Sequence, residues 1–580
     1  EYVDKAPNRI QSLWAMRPDG TGAATFWGNQ TVHPDHLGEA RQIPGTKIVV
    51  FAGVGHHDVW VGCIGIVDPR EGLNFPNGIW KVTQELPWPE VGDGPVPTPG
   101  ATEQYHTSGE YAAYKTPYPL SEELFLVSAR TGSLKVGGMI SAKDPTIGQF
   151  KLYLMDIYGN RELIYQGDNN VLYAQPARQR KAPPLRPDLA DMPGSEKDNP
   201  VIRPGVLFSN NIFDSAPSEL RDQGKYLRVV EAMPKHYSVG LVHSGGKPFG
   251  SEGPNTAWGA WGEKFLQGKT PTPTTDISWG DHSVVQGPVT SITGPLSVKQ
   301  IHGTVPIHED GSINFKVPPC RMLYFQVLDE QYRAVHTMRS WVSTRPGEYR
   351  GCTGCHEAHS STPVVPPVTA RAKAPDAIQP PPWGVRSLSY VKDVQPIFDR
   401  ACSECHQGDG QASKTLDLTL RPDNSPTRAK KVDVQRWGGV FPEPYLTLTL
   451  GKDHHHLDGW PGFDASRNYV GLPSTKDVPY DTLPPLTYLS PKSRLIAESM
   501  DKKRCGKSLS AEDLRMLIAW VDLWAMYRSD DEIREIEDAP SDWFPLWTYP
   551  PKTKTAPRVR TEYSQDEYTR PEDRVTKAEL

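Results

Sequence analysis

Along the first 195 residues the apolar positions fall in short runs closed by Gly, Pro or Asp, and no long stretch carries helical spacing. Residues 47–51, 63–67 and 123–127 are such runs, and their punctuation predicts short antiparallel strands. A pattern also echoes within this part. Leu13-Trp14-Ala15-Met16, ending at Gly20 and followed by Ala24-Thr25-Phe26, matches Leu152-Tyr153-Leu154-Met155, ending at Gly159 and followed by Glu162-Leu163-Ile164-Tyr165. Each reads as a hairpin of the kind repeated in β-propeller blades. About two or three such units are too few for the usual ring of roughly four to eight blades. Either the propeller is incomplete in this chain, or further blades are degenerate, or the ring is completed elsewhere.

From 196 to 362 the pattern stays β. Tyr226 to Glu231 alternates, residues 311–317 alternate cleanly, and residues 323–329 lead through a turn to a return strand at 334–338. Strands in series with short turns predict an antiparallel sandwich. Residues 363–388 carry Pro at 363, 366, 367, 375, 380, 381 and 382 with little apolar periodicity, and read as an extended linker. Helical spacing appears only afterwards. Val391, Val394, Ile397 and Phe398 form one apolar stripe, and Leu514, Leu517, Ile518, Val521 and Trp524 form another, with Ser510 and Asp513 placed to cap it. This opening and closing pair predicts a small all-α domain over 389–530. Residues 531–580 have no core pattern and read as an extended tail. The expected fold is therefore mainly β with a small all-α C-terminal domain.

Composition narrows the class. A hydrophobic content of 37% and mean hydropathy of −0.54, with 57 Pro and 50 Gly, suit loop-rich β domains. A net charge of −6, from 63 basic and 69 acidic residues, argues against nucleic acid. No run is long and apolar enough for a membrane span. The chain opens at Glu1 without Met, a basic n-region or an apolar h-region, so any export signal is expected to have been removed.

The chemistry is carried by two pentapeptides, Cys352-Thr353-Gly354-Cys355-His356 and Cys402-Ser403-Glu404-Cys405-His406. Two thiols spaced by two residues, with His directly after, read as covalent attachment of haem c, His356 and His406 being the first axial ligands. A short turn presents both sulfurs to the haem vinyl groups, and the next side chain reaches the iron. Because such attachment takes place outside the cytoplasm in bacteria, a periplasmic or other extracytoplasmic location is expected. Of the seven Cys, four are assigned to haem; Cys63, Cys320 and Cys505 cannot all pair among themselves. For the second haem the candidate opposite ligands are the His454-His455-His456 cluster, then Met500, then Cys505. In the N-terminal part His57 and Cys63 share a face of an extended strand, with His106 further on, and form a soft metal-ligand set alongside the plainer reading of ordinary hydrogen-bonded residues.

Several phrases resemble one family. His302-Gly303-Thr304-Val305-Pro306, Phe315-Lys316-Val317-Pro318, residues 323–329, Met338-Arg339-Ser340-Trp341, Pro346-Gly347-Glu348 and Cys352 to Glu357 are similar to the middle domain of hydrazine synthase alpha-subunit-like proteins. Gly55-His56-His57, Ile66-Val67-Asp68-Pro69-Arg70 and residues 154–160 look like the same family, so the likeness runs over about residues 10–530. The resemblance implies a propeller, a β middle domain with one haem c, and a C-terminal cytochrome c domain. It further implies a catalytic middle haem, with the motif His diverted to zinc and a downstream Tyr on the iron. This chain departs there, reading Glu357-Ala358-His359-Ser360-Ser361 with no Tyr. His356 or His359 is then the expected iron ligand, and zinc held by His356 with Cys63, His57 or His106 is the alternative. The expected function is a two-haem redox protein, an oxidoreductase or redox-enzyme subunit acting on a small nitrogen or oxygen species, working with a redox partner or further subunits. The competing expectation is a non-catalytic electron-transfer subunit with both irons fully ligated.

Overall fold

The short apolar runs of the N-terminal part are strands. The computed structural model describes residues 12–28, 34, 36–54, 62–86, 88, 111–132, 148–179, 182, 185–190, 203–214, 216–233, 291, 297–354, 367–421, 442–451, 468–472, 484–501 and 509–532, together with the backbone of 241–244, 247–248 and 272–274. These fall into two compact units that divide in sequence between Asp188 and Leu189.

In the first unit β1 (Leu13–Ala15) pairs with β2 (Ala24–Trp27) as a separate hairpin. β3 (His36–Gln42), β4 (Val49–Val54), β5 (Gly62–Val67) and β6 (Ile79–Lys81) form an antiparallel meander. β7 (Tyr111–Pro119), β8 (Leu124–Thr131), β9 (Lys151–Asp156) and β10 (Arg161–Tyr165) form a second. The meanders join through β5 and β7, where Gly62 faces Tyr114, giving one eight-stranded sheet. Val50, Ala52, Ile64, Ile66, Phe125, Val127 and Met155 make its core. Gly65 is required there, since a Cβ would lie 2.4 Å from the Phe51 ring. Both echoed segments are hairpins, and Asp156 Oδ1 sets the second turn by accepting from the Tyr158 and Asn160 amides. They are not equivalent units, because one stands alone and the other edges the large sheet. The described residues show blade-like meanders, not a closed propeller.

The second unit holds both the middle β segment and the helices. Its strands are β11 (Gly205–Ser209), β12 (Tyr226–Ala232), β13 (Leu241–Ser244), β14 (Lys247–Pro248), β15 (Thr272–Thr274), β16 (Lys299–Pro306), β17 (Ile313–Val317), β18 (Leu323–Leu328), β19 (Ala334–Thr337), β20 (Tyr349–Cys352) and β21 (Arg386–Ser387). A five-stranded sheet in the order β19-β18-β12-β16-β21 packs on a three-stranded sheet in the order β17-β11-β20. Leu207, Phe315 and Val317 from the small sheet meet Leu227, Val229, Val305 and Val327 from the large one, so the expected sandwich forms. One pair departs from the antiparallel expectation: β11 and β20 run parallel.

The other face of the large sheet is also buried. Val230, Ala232, Ile301 and Tyr324 share one core with Phe398, Tyr445, Leu517, Trp520 and Val521 of the helical segment. Each such side chain removed from water contributes roughly 1.5–3 kcal/mol. The helices are Gln395–Ala401, Ser403–His406, Glu443–Leu450, Arg494–Met500 and Ala511–Asp522. Ser510 caps the last of them as expected, its Oγ accepting from the Asp513 amide at 3.0 Å. Trp524, expected on that helix, lies past its end with φ +65° and is still buried.

A buried ion pair crosses this interface. Asp522 Oδ2 accepts from Arg228 Nη1 at 3.0 Å and from the Ala334 amide, while its Oδ1 accepts from the Ser490 amide. Gln326 joins both sides, accepting from Arg228 Nη1 and donating to the Asp522 carbonyl.

The Pro-rich stretch is extended, but its described part is no free tether. Gln379 exchanges two backbone hydrogen bonds with Thr304, Asp376 bridges Asn314 and Lys316, and β21 pairs with β16. Gly303 allows this approach, because a Cβ there would lie 2.1 Å from the Gln379 carbonyl oxygen.

Candidate functional site

The second pentapeptide is presented by two helical pieces. Tyr390–Val394 forms a wide π-type turn, capped by Ser389 Oγ accepting from the Lys392 amide. It runs into helix Gln395–Ala401, which has Pro396 in its first turn. The predicted stripe is the reason: Val394, Ile397 and Phe398 are buried. The helix stops at Cys402, and Ser403–His406 adds one more turn, with the His406 amide donating to the Cys402 carbonyl at 2.9 Å. Cys402 and Cys405 thus lie on one turn, and neither is in a disulfide.

His406 is half-buried, and its Nδ1 lies 2.8 Å from the Leu416 carbonyl oxygen. A carbonyl only accepts, so Nδ1 carries the proton and Nε2 keeps its lone pair for a metal. The chain after the motif folds back over it: the Ala412 amide donates to the Cys405 carbonyl and the Leu418 amide to the His406 carbonyl at 2.7 Å. Gly410 has no room for a side chain, since its Cβ would lie 2.5 Å from the Cys405 oxygen. Two thiols on one turn, neither in a disulfide, and an imidazole with its other nitrogen already engaged fit thioether attachment and axial ligation of haem c. Among the candidate opposite ligands, Met500 ends helix Arg494–Met500 with 37% exposure. His454, His455, His456 and Cys505 lie outside the described residues.

The first pentapeptide begins on the last residue of β20, an edge strand, with Cys352 paired to Ser209 of β11. Cys352 is in no disulfide and is exposed. Gly351 lets β20 pass over Phe208, because a Cβ would lie 2.8 Å from that ring, and Arg371 stacks on Phe208 at 4.8 Å. An exposed free thiol at a strand end suits attachment of a group at the rim of the sandwich. Cys355 and His356 lie outside the described residues, as do His57 and His106 of the candidate zinc set. Cys63 is in β5 at the core of its unit. Its sulfur donates to the Gly53 carbonyl, and burial pushes the thiol pKa up to about 12. A zinc-ligating thiol must ionise, and this apolar setting opposes it. Among the described residues no three His, Cys, Asp or Glu side chains are grouped to hold a metal ion. No helix among them is long and apolar enough to cross a membrane.

Sequence reasoning missed the buried charges of the middle segment. Glu231 is fully buried and binds His302 Nε2 at 2.7 Å and Arg321 Nη1 at 3.4 Å. The available signal was a charge inside the apolar strand Tyr226–Ala232, at Arg228 and at Glu231.

Residues 223–357 match the family model described as the hydrazine synthase alpha subunit middle domain. The middle of this chain is thus similar to that family's middle domain. The matched stretch runs from the end of helix Ser218–Gln223 through β12–β20 to just past the first pentapeptide. It therefore takes in Glu231, His302 and Cys352. Among solved structures, Kuenenia stuttgartiensis hydrazine synthase aligns with 14% identity and a TM-score of 0.48, over 85% of this chain and 62% of that one. The chain thus spans less than two thirds of that relative's length. No curated protein matches it.

Proposed function

We propose that this chain is an extracytoplasmic two-haem c-type redox protein, an oxidoreductase or redox-enzyme subunit acting on a small nitrogen or oxygen species at the haem of its alpha-type middle domain. The observation that carries the reading is His406, held by Leu416 with Nε2 ready for iron on the same turn as two thiols outside any disulfide. Bound there, haem c supplies one-electron transfer, and Cys402, Cys405 and His406 would attach and ligate it. Cys352, Cys355 and His356 would attach the other, where the alpha-type family match supports substrate chemistry. Cys402, Cys405 and His406 would thereby hold the group that exchanges electrons with a redox partner or with other subunits.

One feature favours a second reading, electron transfer without catalysis. No Tyr follows His356 in Glu357-Ala358-His359-Ser360-Ser361, so His356 or His359 is free to occupy the middle iron in place of the oxygen ligand the resemblance implies. Spectroscopy of the purified protein separates the two. The first reading expects two thioether-linked haems per chain, a high-spin ferric component, and CO or NO binding to the ferrous form. Two purely low-spin haems that bind neither gas establish the second, and a chain without covalent haem overturns both. Zinc analysis of the same sample tests the alternative ligation of His356.

A further inference from the structure

Gln395 opens the helix that leads into the second pentapeptide, and it is 1% exposed. A buried amide must satisfy both its oxygen and its NH2 group. Here Oε1 accepts from the Tyr390 hydroxyl at 2.9 Å, while Nε2 donates to Asp399 Oδ1 and to the Leu418 carbonyl, both at 2.8 Å. A carboxylate and a carbonyl accept only, so the amide has one orientation. Leu418 lies two residues beyond the carbonyl that receives the His406 proton, and its own amide donates to the His406 backbone. Gln407 reinforces the anchor from the surface, donating to the same Asp399 oxygen and, at 3.3 Å, to the Leu418 carbonyl.

We propose that Gln395 is a positioning residue for His406: by fixing the segment from Leu416 to Leu418 it sets the orientation and donor strength of the imidazole. The inference rests on the reading that Cys402, Cys405 and His406 hold haem c. A strong hydrogen bond at Nδ1 makes Nε2 a more basic ligand, which favours ferric over ferrous iron. Loosening Leu416 weakens that bond, so the reduction potential should rise.

The test uses the full haem-loaded chain with Gln395→Leu and, as a milder change that leaves the amide in place, Tyr390→Phe. The C-terminal haem is assigned by its loss in a Cys402→Ala/Cys405→Ala chain. Its midpoint potential should rise in both variants, more in Gln395→Leu, with a changed ferric EPR g-anisotropy. Folded variants that melt earlier but keep the wild-type potential and EPR spectrum overturn the proposal, leaving Gln395 only a packing role. If Gln395→Leu does not fold, an unshifted Tyr390→Phe protein overturns it equally. Wild-type protein without thioether haem at this motif overturns the underlying reading too, and haemochrome spectroscopy recognises that failure before any potential is measured.

Discussion

Asp522 ends the closing helix with its carboxylate wholly out of water. Burial raises its pKa, although Arg228 and Ser490 pull the other way. Both oxygens are used, by Arg228, Ala334 and Ser490, so the charge is compensated, though replacing the whole pair by apolar groups can be nearly neutral. Removing one partner is different, because it strands the other. Asp522→Ala should lower stability in chemical denaturation by about 3–5 kcal/mol. Adding Arg228→Met should restore a good part of that loss; if the two changes simply add, the side chains are not coupled.

At the scale of elements, the strap from Thr369 to β21 is held at its start by Asp310. The Asp310 carboxylate accepts from the Thr369 amide at 2.7 Å and from the Ser312 hydroxyl and amide. Burial works to raise its pKa, but the donors on Ser312 and Thr369 outweigh it and hold the group well below the ordinary carboxylate range. The unfolded chain, with a carboxyl near pKa ~3.9, therefore takes up the proton first. The stabilisation is present above about pH 4 and is lost as pH falls through the lower folded value. In thermal unfolding from pH 5 down to 2, wild type should lose ground to Asp310→Asn, the two midpoints converging at the acid end. Parallel curves would rule out this role. The strap also marks the limit of what sequence could tell. Its extended form followed from the prolines, and the Ser510 cap and the stripe at Val394, Ile397 and Phe398 followed from local spacing. Its binding did not, because its partners, Thr304, Asn314 and Lys316, lie far away in the chain. The turn at His406 was legible from its motif, whereas Leu416, whose carbonyl accepts from its imidazole, carries no signature of its own. In the N-terminal part each hairpin could be read locally, but the edge-to-edge join at Gly62 and Tyr114 is a long-range pairing that periodicity does not encode.

Across the whole molecule, the expected division of the middle segment from the cytochrome segment is a division of sequence, while in space the two form one unit. A chain ending at residue 388 would uncover Val230, Ile301 and Tyr324 and leave Arg228 without Asp522. Such a truncation should aggregate or show molten behaviour, with 1-anilinonaphthalene-8-sulfonate binding and a lost near-ultraviolet dichroism signal. A monomeric, cooperatively unfolding fragment would mean that the sheet does not need the helices. The pair behind this, Arg228 and Asp522, is separated by 294 positions. A charge lost at either end leaves its counterpart buried without its ion-pair partner, so a change at one site favours a matched change at the other. The two halves of the unit are then inherited as a single trait, and exchanging the C-terminal half for that of another lineage carries the penalty of a broken match.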